Sequence, residues 1–153
     1  MPDEIDYFDG LKRVGAVYDF TTGDENMFYD RINLIKLTAE NFRKRGIATD
    51  FVVLIHGPST KFVIRSQAGT KFDGENIPRL SAIHGLMQDL RESGSARIVT
   101  CGIAMGRHHV APDNLMSFTV AEENVAEISI ALQCKGYAYM QVDLMAANPV
   151  KTP

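Results

Sequence analysis

The chain has 153 residues, of which 45% are hydrophobic and 23% are charged, and its formal net charge is −3. This length and composition are typical of an ordinary globular protein with a buried core, so we predict one domain over residues 1–153. The slight acidic excess argues against a nucleic-acid partner, and no apolar run is long enough to cross a membrane.

The beginning of the chain carries no recognisable targeting signal. Residues 1–6 are acidic and lack the apolar stretch of a secretory signal. In a chain without such a signal, Cys101 and Cys134 are expected to be reduced thiols rather than parts of a disulfide framework. The sequence therefore predicts a cytoplasmic protein, with loose termini at residues 1–11 and 144–153.

Strand and helix patterns alternate along the chain. Five apolar or alternating segments predict strands: residues 13–20, 51–55, 96–101, 118–120 and 137–142. Apolar residues at three- and four-residue spacing predict helices over residues 27–45, 77–94 and 124–136. A shorter helix capped by Ser59 or Thr60 is expected, and residues 102–108 are expected to begin a helix or a turn. The alternation indicates βαβ units, and therefore a mainly parallel sheet with helices on both faces, an α/β fold.

Polar or reactive side chains stand at the ends of three predicted strands. Because parallel strands bring their carboxyl ends to one edge, where open α/β sheets bind ligands, we expect these side chains to share a site. Cys101 is the candidate reactive residue. The candidate binding or supporting residues are Asp19, Thr21, Thr22, His56, Arg107 and His108.

Cys101 ends a predicted strand and precedes a predicted helix. The exposed N–H groups and the dipole at a helix start favour the thiolate, which is the reacting form of cysteine. The alternative is that Cys101 is a small buried residue that only packs in the core. Cys134 lies in the last turn of a predicted helix, and we interpret it as a packing residue.

Metal binding has little support in the sequence. His56 and Cys101 offer zinc ligands, but no CxxC or HxxxH spacing accompanies them. His108 and His109 are adjacent, so on a helix they point about 100° apart. We therefore predict no metal site.

Residues 101–107 have the C-x5-R spacing of cysteine-dependent phosphatases, in which backbone N–H groups cradle a phosphate. Ile103 and Met105 are bulky for such a cradle. His108 stands where those enzymes usually carry Ser or Thr. A thiol-dependent hydrolase remains an alternative at this point.

Four segments, spread over residues 13–142, together carry a resemblance to a known family. They are VYDFTTGD (17–24), FVVLIHGP (51–58), IVTCGIAM (98–105) and ALQCKGYAY (131–139). In their order and spacing they resemble the DsrE/DsrF-like family, which includes the DsrE and TusD sulfur-transfer subunits and the YchN-like proteins.

In the sulfur-transferring members of that family, a cysteine ends the strand before a short helix, followed by basic residues and a Gly-Val pair. Cys101 occupies that place, Arg107 lies in the basic stretch and Val110 follows it, while His109 stands where glycine is usual. The resemblance implies a three-layer α/β/α sandwich with a mainly parallel five-stranded sheet. It also implies homo-oligomers, trimers or hexamers, and no metal or organic cofactor.

The function implied by the resemblance is sulfur relay. Cys101 would accept a persulfide sulfur from a protein donor and pass it to an acceptor, with Arg107 or the helix start steadying the sulfur anion. His56 would either shuttle a proton or bond the neighbouring backbone. Whether this is enzymatic sulfurtransferase turnover or simple carriage is left open. The alternative is a non-catalytic oligomeric module of the same fold that binds a small ligand or a partner.

Overall fold

Five strands of the chain form one parallel sheet. The computed structural model describes residues 4–142. The strands are β1 (Arg13–Phe20), β2 (Ala48–Ile55), β3 (Arg97–Cys101), β4 (Val120–Glu122) and β5 (Ala138–Gln141). Their order across the sheet is β4–β3–β2–β1–β5, and every neighbouring pair is parallel.

Helices cover both faces of this sheet. The α-helices are α1 (Glu25–Lys44), α2 (Leu80–Glu92), α3 (Gly102–Arg107) and α4 (Val125–Cys134), and two 3₁₀ helices span Gly57–Phe62 and Pro112–Asn114. The apolar sides of α1 and α2 pack in the larger core, and α4 packs against the opposite face. The predicted α/β/α sandwich is confirmed. Between residues 4 and 142, no helix has both the length and the apolar character needed to span a bilayer.

Alternation along the strands decides which residues face which core. Tyr18 and Phe20 point into the larger core, whereas Val17 belongs to the smaller one. Leu54 and Val99 also lie in the smaller core, beside α4. The residues two positions beyond these three therefore reach the carboxyl edge on the face that carries α3 and α4.

Side-chain caps explain where two of the helices begin. The carboxylate of Asp24 accepts hydrogen bonds from the N–H groups of Asn26 and Met27, so α1 starts slightly earlier than its apolar pattern predicts. The side chain of Asn124 accepts from the N–H of Ala126 at the start of α4, as expected.

The fourth strand lies two residues later than predicted. Phe118 is buried in the larger core, and Thr119 Oγ1 lies 2.8 Å from Thr100 Oγ1, so these residues anchor the chain just before the strand. The side chains of Val120–Glu122 are exposed at the sheet edge. The apolar pattern that predicted this strand therefore comes from the buried residues just before β4 and not from β4 itself.

The predicted capping role of Ser59 or Thr60 is wrong. The 3₁₀ helix begins at Gly57, with His56 as its N-cap residue, Pro58 in its first turn and no side-chain capping bond. Ser59 lies inside the helix, and its hydroxyl donates instead to the carbonyl of Thr22 (2.6 Å).

The N-terminal segment has a partial anchor. Residues 1–11 are expected to be loose, yet Phe8 packs edge-on against Phe42, with 6.0 Å between ring centroids. The guanidinium of Arg45 lies 3.7 Å from the centroid of the Phe8 ring. The other predicted loose terminus, residues 144–153, lies outside the described residues.

Candidate functional site

A cleft of about 560 Å³ opens at the carboxyl edge of the sheet, on the face that carries α3 and α4. It brings together five of the residues that the sequence predicts for the site: Asp19, His56, Cys101, Arg107 and His108. The α/β pattern predicts that the strand ends converge on one edge of the sheet, and this convergence is present in the fold.

His56 and Cys101 lie at the carboxyl ends of the neighbouring strands β2 and β3. Ile55 of β2 pairs with Thr100 of β3, and His56 keeps an extended backbone (φ −152°, ψ 176°). Continuing the register by one residue places His56 beside Cys101, on strands spaced about 4.8 Å apart. Both side chains line the same cleft.

The carboxylate of Asp19 is held from both sides. Its Oδ1 is hydrogen-bonded to Nε2 of His56, and its Oδ2 accepts a hydrogen bond from Tyr139 Oη (2.7 Å). Burial raises the pKa of Asp19, but the hydrogen bonds from His56 and Tyr139 and the charge of His56 outweigh it, so the net pKa lies below its ordinary value. The ring of His56 therefore bonds this carboxylate, and not the neighbouring backbone.

Cys101 lines the cleft and is only 6% exposed. Its Sγ lies 3.7 Å from the carbonyl oxygen of Glu123, to which the thiol donates a hydrogen bond. The N–H of Ile103, in the first turn of α3, donates to that same carbonyl (3.1 Å). The sequence predicts that the start of α3 stabilises a thiolate at Cys101. The N–H of Ile103 does not do this, because it is already hydrogen-bonded to the carbonyl of Glu123.

The close approach of Glu123 also explains the glycine after Cys101. A Cβ on Gly102 would lie 3.3 Å from the carbonyl oxygen of Glu122 and 3.4 Å from the Cα of Glu123. Glycine therefore lets the chain before α4 pass directly over the start of α3.

Arg107 and His108 stand at the end of α3. Arg107 is exposed and has no ion pair or hydrogen bond within residues 4–142. His108 Nδ1 lies 2.8 Å from the carbonyl oxygen of Ala104, and its ring stacks on Phe72 at 4.7 Å between centroids. Because a carbonyl only accepts hydrogen bonds, Nδ1 carries the hydrogen and the orientation of the ring is fixed.

His109 adopts a left-handed backbone conformation, with φ of 59°. Glycine is the residue that adopts such a conformation most easily. His109 stands where the DsrE/DsrF-like family usually has glycine, and in this chain that position has a left-handed conformation that suits glycine.

Thr21 and Thr22 do not line the cleft. They lie in the turn after β1, where Thr22 Oγ1 accepts a hydrogen bond from the N–H of Asp24 (3.1 Å). The structure therefore places these two predicted supporting residues in the connection to α1.

Tyr139 lies in the site but was not predicted from the sequence. It pairs with Val17 in the β1–β5 register, so its side chain shares a face with Asp19. The alternation of β5 contains this signal, but only once its neighbour is known to be β1. Three polar residues that line the cleft were also not predicted: Asn124, which caps α4, and Ser129 and Gln133 on α4.

The phosphatase alternative does not fit the backbone. Six residues of the C-x5-R segment form α3, Gly102–Arg107, so their N–H groups do not turn inward as a phosphate cradle. Within the described range, no group of three or more His, Cys, Asp or Glu side chains is placed to hold a metal ion.

No family model matches the chain. An uncharacterized protein of Aquifex aeolicus (strain VF5) is 30% identical over 125 residues, which cover 82% of this chain and 54% of the relative. The chain thus spans about half the length of the curated relative it matches.

Solved structures also match the chain. The protein of unknown function MTH1491 from Methanobacterium thermoautotrophicum matches with a TM-score of 0.63 and 16% identity, over 84% of this chain and 97% of that chain. The ychN protein of E. coli matches with a TM-score of 0.47 and 10% identity, over 86% of this chain and 98% of that chain. At 16% identity, the likeness to MTH1491 shows a common α/β fold and nothing finer.

Proposed function

We propose that the protein is a sulfur carrier of the DsrE-like type, which accepts a persulfide sulfur on Cys101 and hands it to a second thiol. The observation that supports this most is the position of Cys101 in the lining of the strand-end cleft, next in register to His56. The donor and the acceptor in this proposal are thiols of other proteins.

The transfer needs two exchanges of one S–S bond for another. The thiolate of Cys101 attacks the outer sulfur of the donor persulfide, and the donor leaves as its own thiolate. The acceptor thiolate then attacks the outer sulfur on Cys101, and the Cys101 thiolate leaves. No outside oxidant or reductant is required, because each step breaks one S–S bond and forms another.

Arg107 supplies positive charge at the cleft. Its guanidinium has no acidic partner among the described residues. A persulfide is an anion, so an uncompensated guanidinium near Cys101 favours its approach.

A second candidate function is a binding module without sulfur chemistry. The observation that favours it is the low exposure of Cys101 together with its hydrogen bond to Glu123, which suits a packed thiol. In that case the cleft binds a small ligand or a partner segment. Replacing Cys101 with Ser would then leave the affinity for that partner unchanged.

The test is sulfur loading followed by intact-protein mass spectrometry. The chain is incubated with a small-molecule persulfide and compared with Cys101→Ser and Cys134→Ser. Cys134 is exposed, so its predicted packing role is wrong and its thiol is open to the reagent. Its removal is therefore the necessary control. We expect a gain of one sulfur atom, reversible by a thiol reductant, in the parent and in Cys134→Ser only. A gain that survives in Cys101→Ser, or is absent from the parent, contradicts the relay.

We also propose that the protein assembles as a homo-oligomer through the α4 side of the sheet. Ile130 on α4 is 63% exposed and Val120 on β4 is 55% exposed, and Ile103, which lines the cleft together with Ile130, is also exposed. Such apolar side chains favour burial against a second copy. We expect Ile130→Asp to reduce the mass measured by light scattering, and Leu37→Asp, at an exposed apolar site on α1, to leave it unchanged. The same mass for both variants would contradict this interface.

A further inference from the structure

Four side chains form a row across the carboxyl edge of the sheet. In the order of the strands they are Cys101 on β3, His56 directly after β2, Asp19 on β1 and Tyr139 on β5. All four line the same cleft. The row therefore places the candidate nucleophile next to an imidazole that is hydrogen-bonded to a carboxylate, which in turn is bonded to a phenol.

Within this row, Asp19 fixes which nitrogen of His56 carries a hydrogen. Both carboxylate oxygens are occupied, Oδ1 by His56 Nε2 and Oδ2 by Tyr139 Oη. A carboxylate only accepts hydrogen bonds, so Nε2 is the donor. In the neutral ring the lone pair then lies on Nδ1, which is the nitrogen able to take up a proton.

The backbone of His56 is held as well as its ring. Its N–H donates to the carbonyl of Phe20 (3.1 Å), and its own carbonyl accepts from the N–H of Ser59 (3.3 Å). The side chain is 30% exposed, and Nδ1 has no hydrogen-bond partner among residues 4–142. Nδ1 is therefore a fixed acceptor available to groups in the cleft.

Cys101 has a matching need for a base. Its thiol donates to the carbonyl of Glu123, and a carbonyl can bond a thiol but not a thiolate. Within the described part of the chain, that carbonyl is the hydrogen-bond partner found for Sγ. To act as a nucleophile, the thiol must give this bond up and pass its proton to another group.

We propose that Nδ1 of His56 accepts the proton of Cys101, and that Asp19 and Tyr139 are positioning residues that fix the imidazole for this transfer. The proton moves from Sγ to Nδ1, which gives a thiolate beside an imidazolium that Asp19 stabilises through Nε2. When the Cys101 thiolate is released after sulfur transfer, it recovers the proton from Nδ1. This role rests on the proposed chemistry at Cys101, but it is measured without a sulfur donor.

The pH dependence of the cleft has contributions from several elements. Five titratable or charged side chains share the cleft with His56: Asp19, Cys101, Tyr139, Arg107 and His108. They come from β1, β3, β5, α3 and the residue directly after α3, whereas the residues that α4 contributes to the lining are uncharged. Variants that remove one group at a time therefore separate His56 from its neighbours.

The experiment measures the rate of alkylation of Cys101 by iodoacetamide between about pH 5 and pH 10. The exposed Cys134 is first replaced by Ser, so that Cys101 is the thiol that reports. On this background His56→Gln removes the base, Asp19→Asn removes the charge that orients it, and Tyr139→Phe removes one hydroxyl. Matched controls are Tyr137→Phe and Asp50→Asn, because Tyr137 Oη is hydrogen-bonded to Asp50 in a similar pair that does not line the cleft.

We expect His56→Gln to slow alkylation at neutral pH by about tenfold or more and to simplify the pH profile to that of one ionising group. Asp19→Asn should also slow the alkylation of Cys101, and Tyr139→Phe should slow it by about two- to threefold. The two controls should match the parent. Nitrogen NMR of the parent should show the hydrogen of the neutral His56 ring on Nε2, and Asp19→Asn should disturb this preference.

A folded His56→Gln protein with the parental rate and profile would overturn the proposal. If His56→Gln fails to fold, equal rates in Asp19→Asn and Asp50→Asn would overturn it instead. A parent that accepts no persulfide but shows the expected dependence on His56 supports this inference and removes the relay. Persulfide loading with alkylation independent of His56 removes only this inference.

Discussion

Asp19 and His56 lie 37 positions apart in the chain, and their side chains are hydrogen-bonded at the carboxyl ends of two neighbouring parallel strands. The bond is possible because Phe20 pairs with Ile55, so β1 and β2 end together. It turns two separate strand ends into one unit beside Cys101. The consequences for stability and reactivity can be measured separately.

Asp19→Asn is expected to destabilise the protein in a pH-dependent way. Because the folded state lowers the pKa of Asp19 below 3.8, its ionised form stabilises the fold fully above that pH. This contribution is lost as the pH falls through the lower folded pKa. We expect the variant to lose about 1–3 kcal/mol of unfolding free energy at neutral pH. Urea unfolding at several pH values should show the difference shrinking below about pH 4; a constant difference would contradict this account.

His84 on α2 is expected to make the fold weaker in mild acid. Burial lowers the pKa of His84 below 6.5, and the hydrogen bond to the Phe62 carbonyl offsets part of this effect. The fold therefore favours the neutral ring. The contribution of this preference to the free energy of unfolding is fully present above pH 6.5 and is lost as the pH falls through the folded pKa. Between about pH 7 and pH 5, the free energy of unfolding of His84→Leu should fall less than that of the parent. His109→Asn, at an exposed histidine, is the control and should keep the parental slope.

Gly57→Ala is expected to destabilise the protein and disturb His56. Gly57 has a φ of 57°, and an added Cβ meets only ordinary contacts with Thr21, so the cost is conformational. We expect a loss of about 1 kcal/mol in unfolding free energy and slower alkylation of Cys101. Gly85→Ala, in the middle of α2 with open space around it, should instead stabilise by up to about 1 kcal/mol. Equal effects of the two changes on stability would contradict the backbone argument.

The buried hydroxyl pair of Thr100 and Thr119 is expected to behave as a coupled unit just before Cys101. Thr119→Val leaves Thr100 Oγ1 without this bond (2.8 Å), at a cost of about 1–3 kcal/mol. The double Val variant should cost less than the sum of the single variants, by at least about 0.5 kcal/mol. Thr60→Val is the matched control, because Thr60 Oγ1 is buried without a partner among the described residues, and its removal should be neutral or stabilising. Strict additivity for Thr100 and Thr119 would contradict the coupling.

Long periodic segments could be predicted from the sequence because their pattern is set by burial. The predicted first strand coincides with β1, and α1 differs at its start only because Asp24 caps it. Short elements were less predictable. The three exposed residues of β4 carry no apolar pattern, and the 3₁₀ helix after His56 begins at a glycine with positive φ rather than at a hydroxyl cap.

The site was predictable in its parts but not in its connections. That Asp19, His56 and Cys101 meet follows from strand ends converging on one edge. That Asp19 bonds His56 depends on β1 lying next to β2, and the contribution of Tyr139 depends on β5 joining the far side of β1. Strand order is a property of the whole fold, so local patterns could not reveal these bonds.

The most direct test of the relay follows one labelled sulfur atom through a single turnover. The outer sulfur of a small-molecule persulfide is labelled, the loaded protein is separated from the donor, and a dithiol acceptor is added. We expect the label to leave the donor, appear on Cys101 and then pass to the acceptor, with the protein returned to its original mass. A label that never reaches Cys101, or that passes to the acceptor equally well in the Cys101→Ser variant, would contradict it.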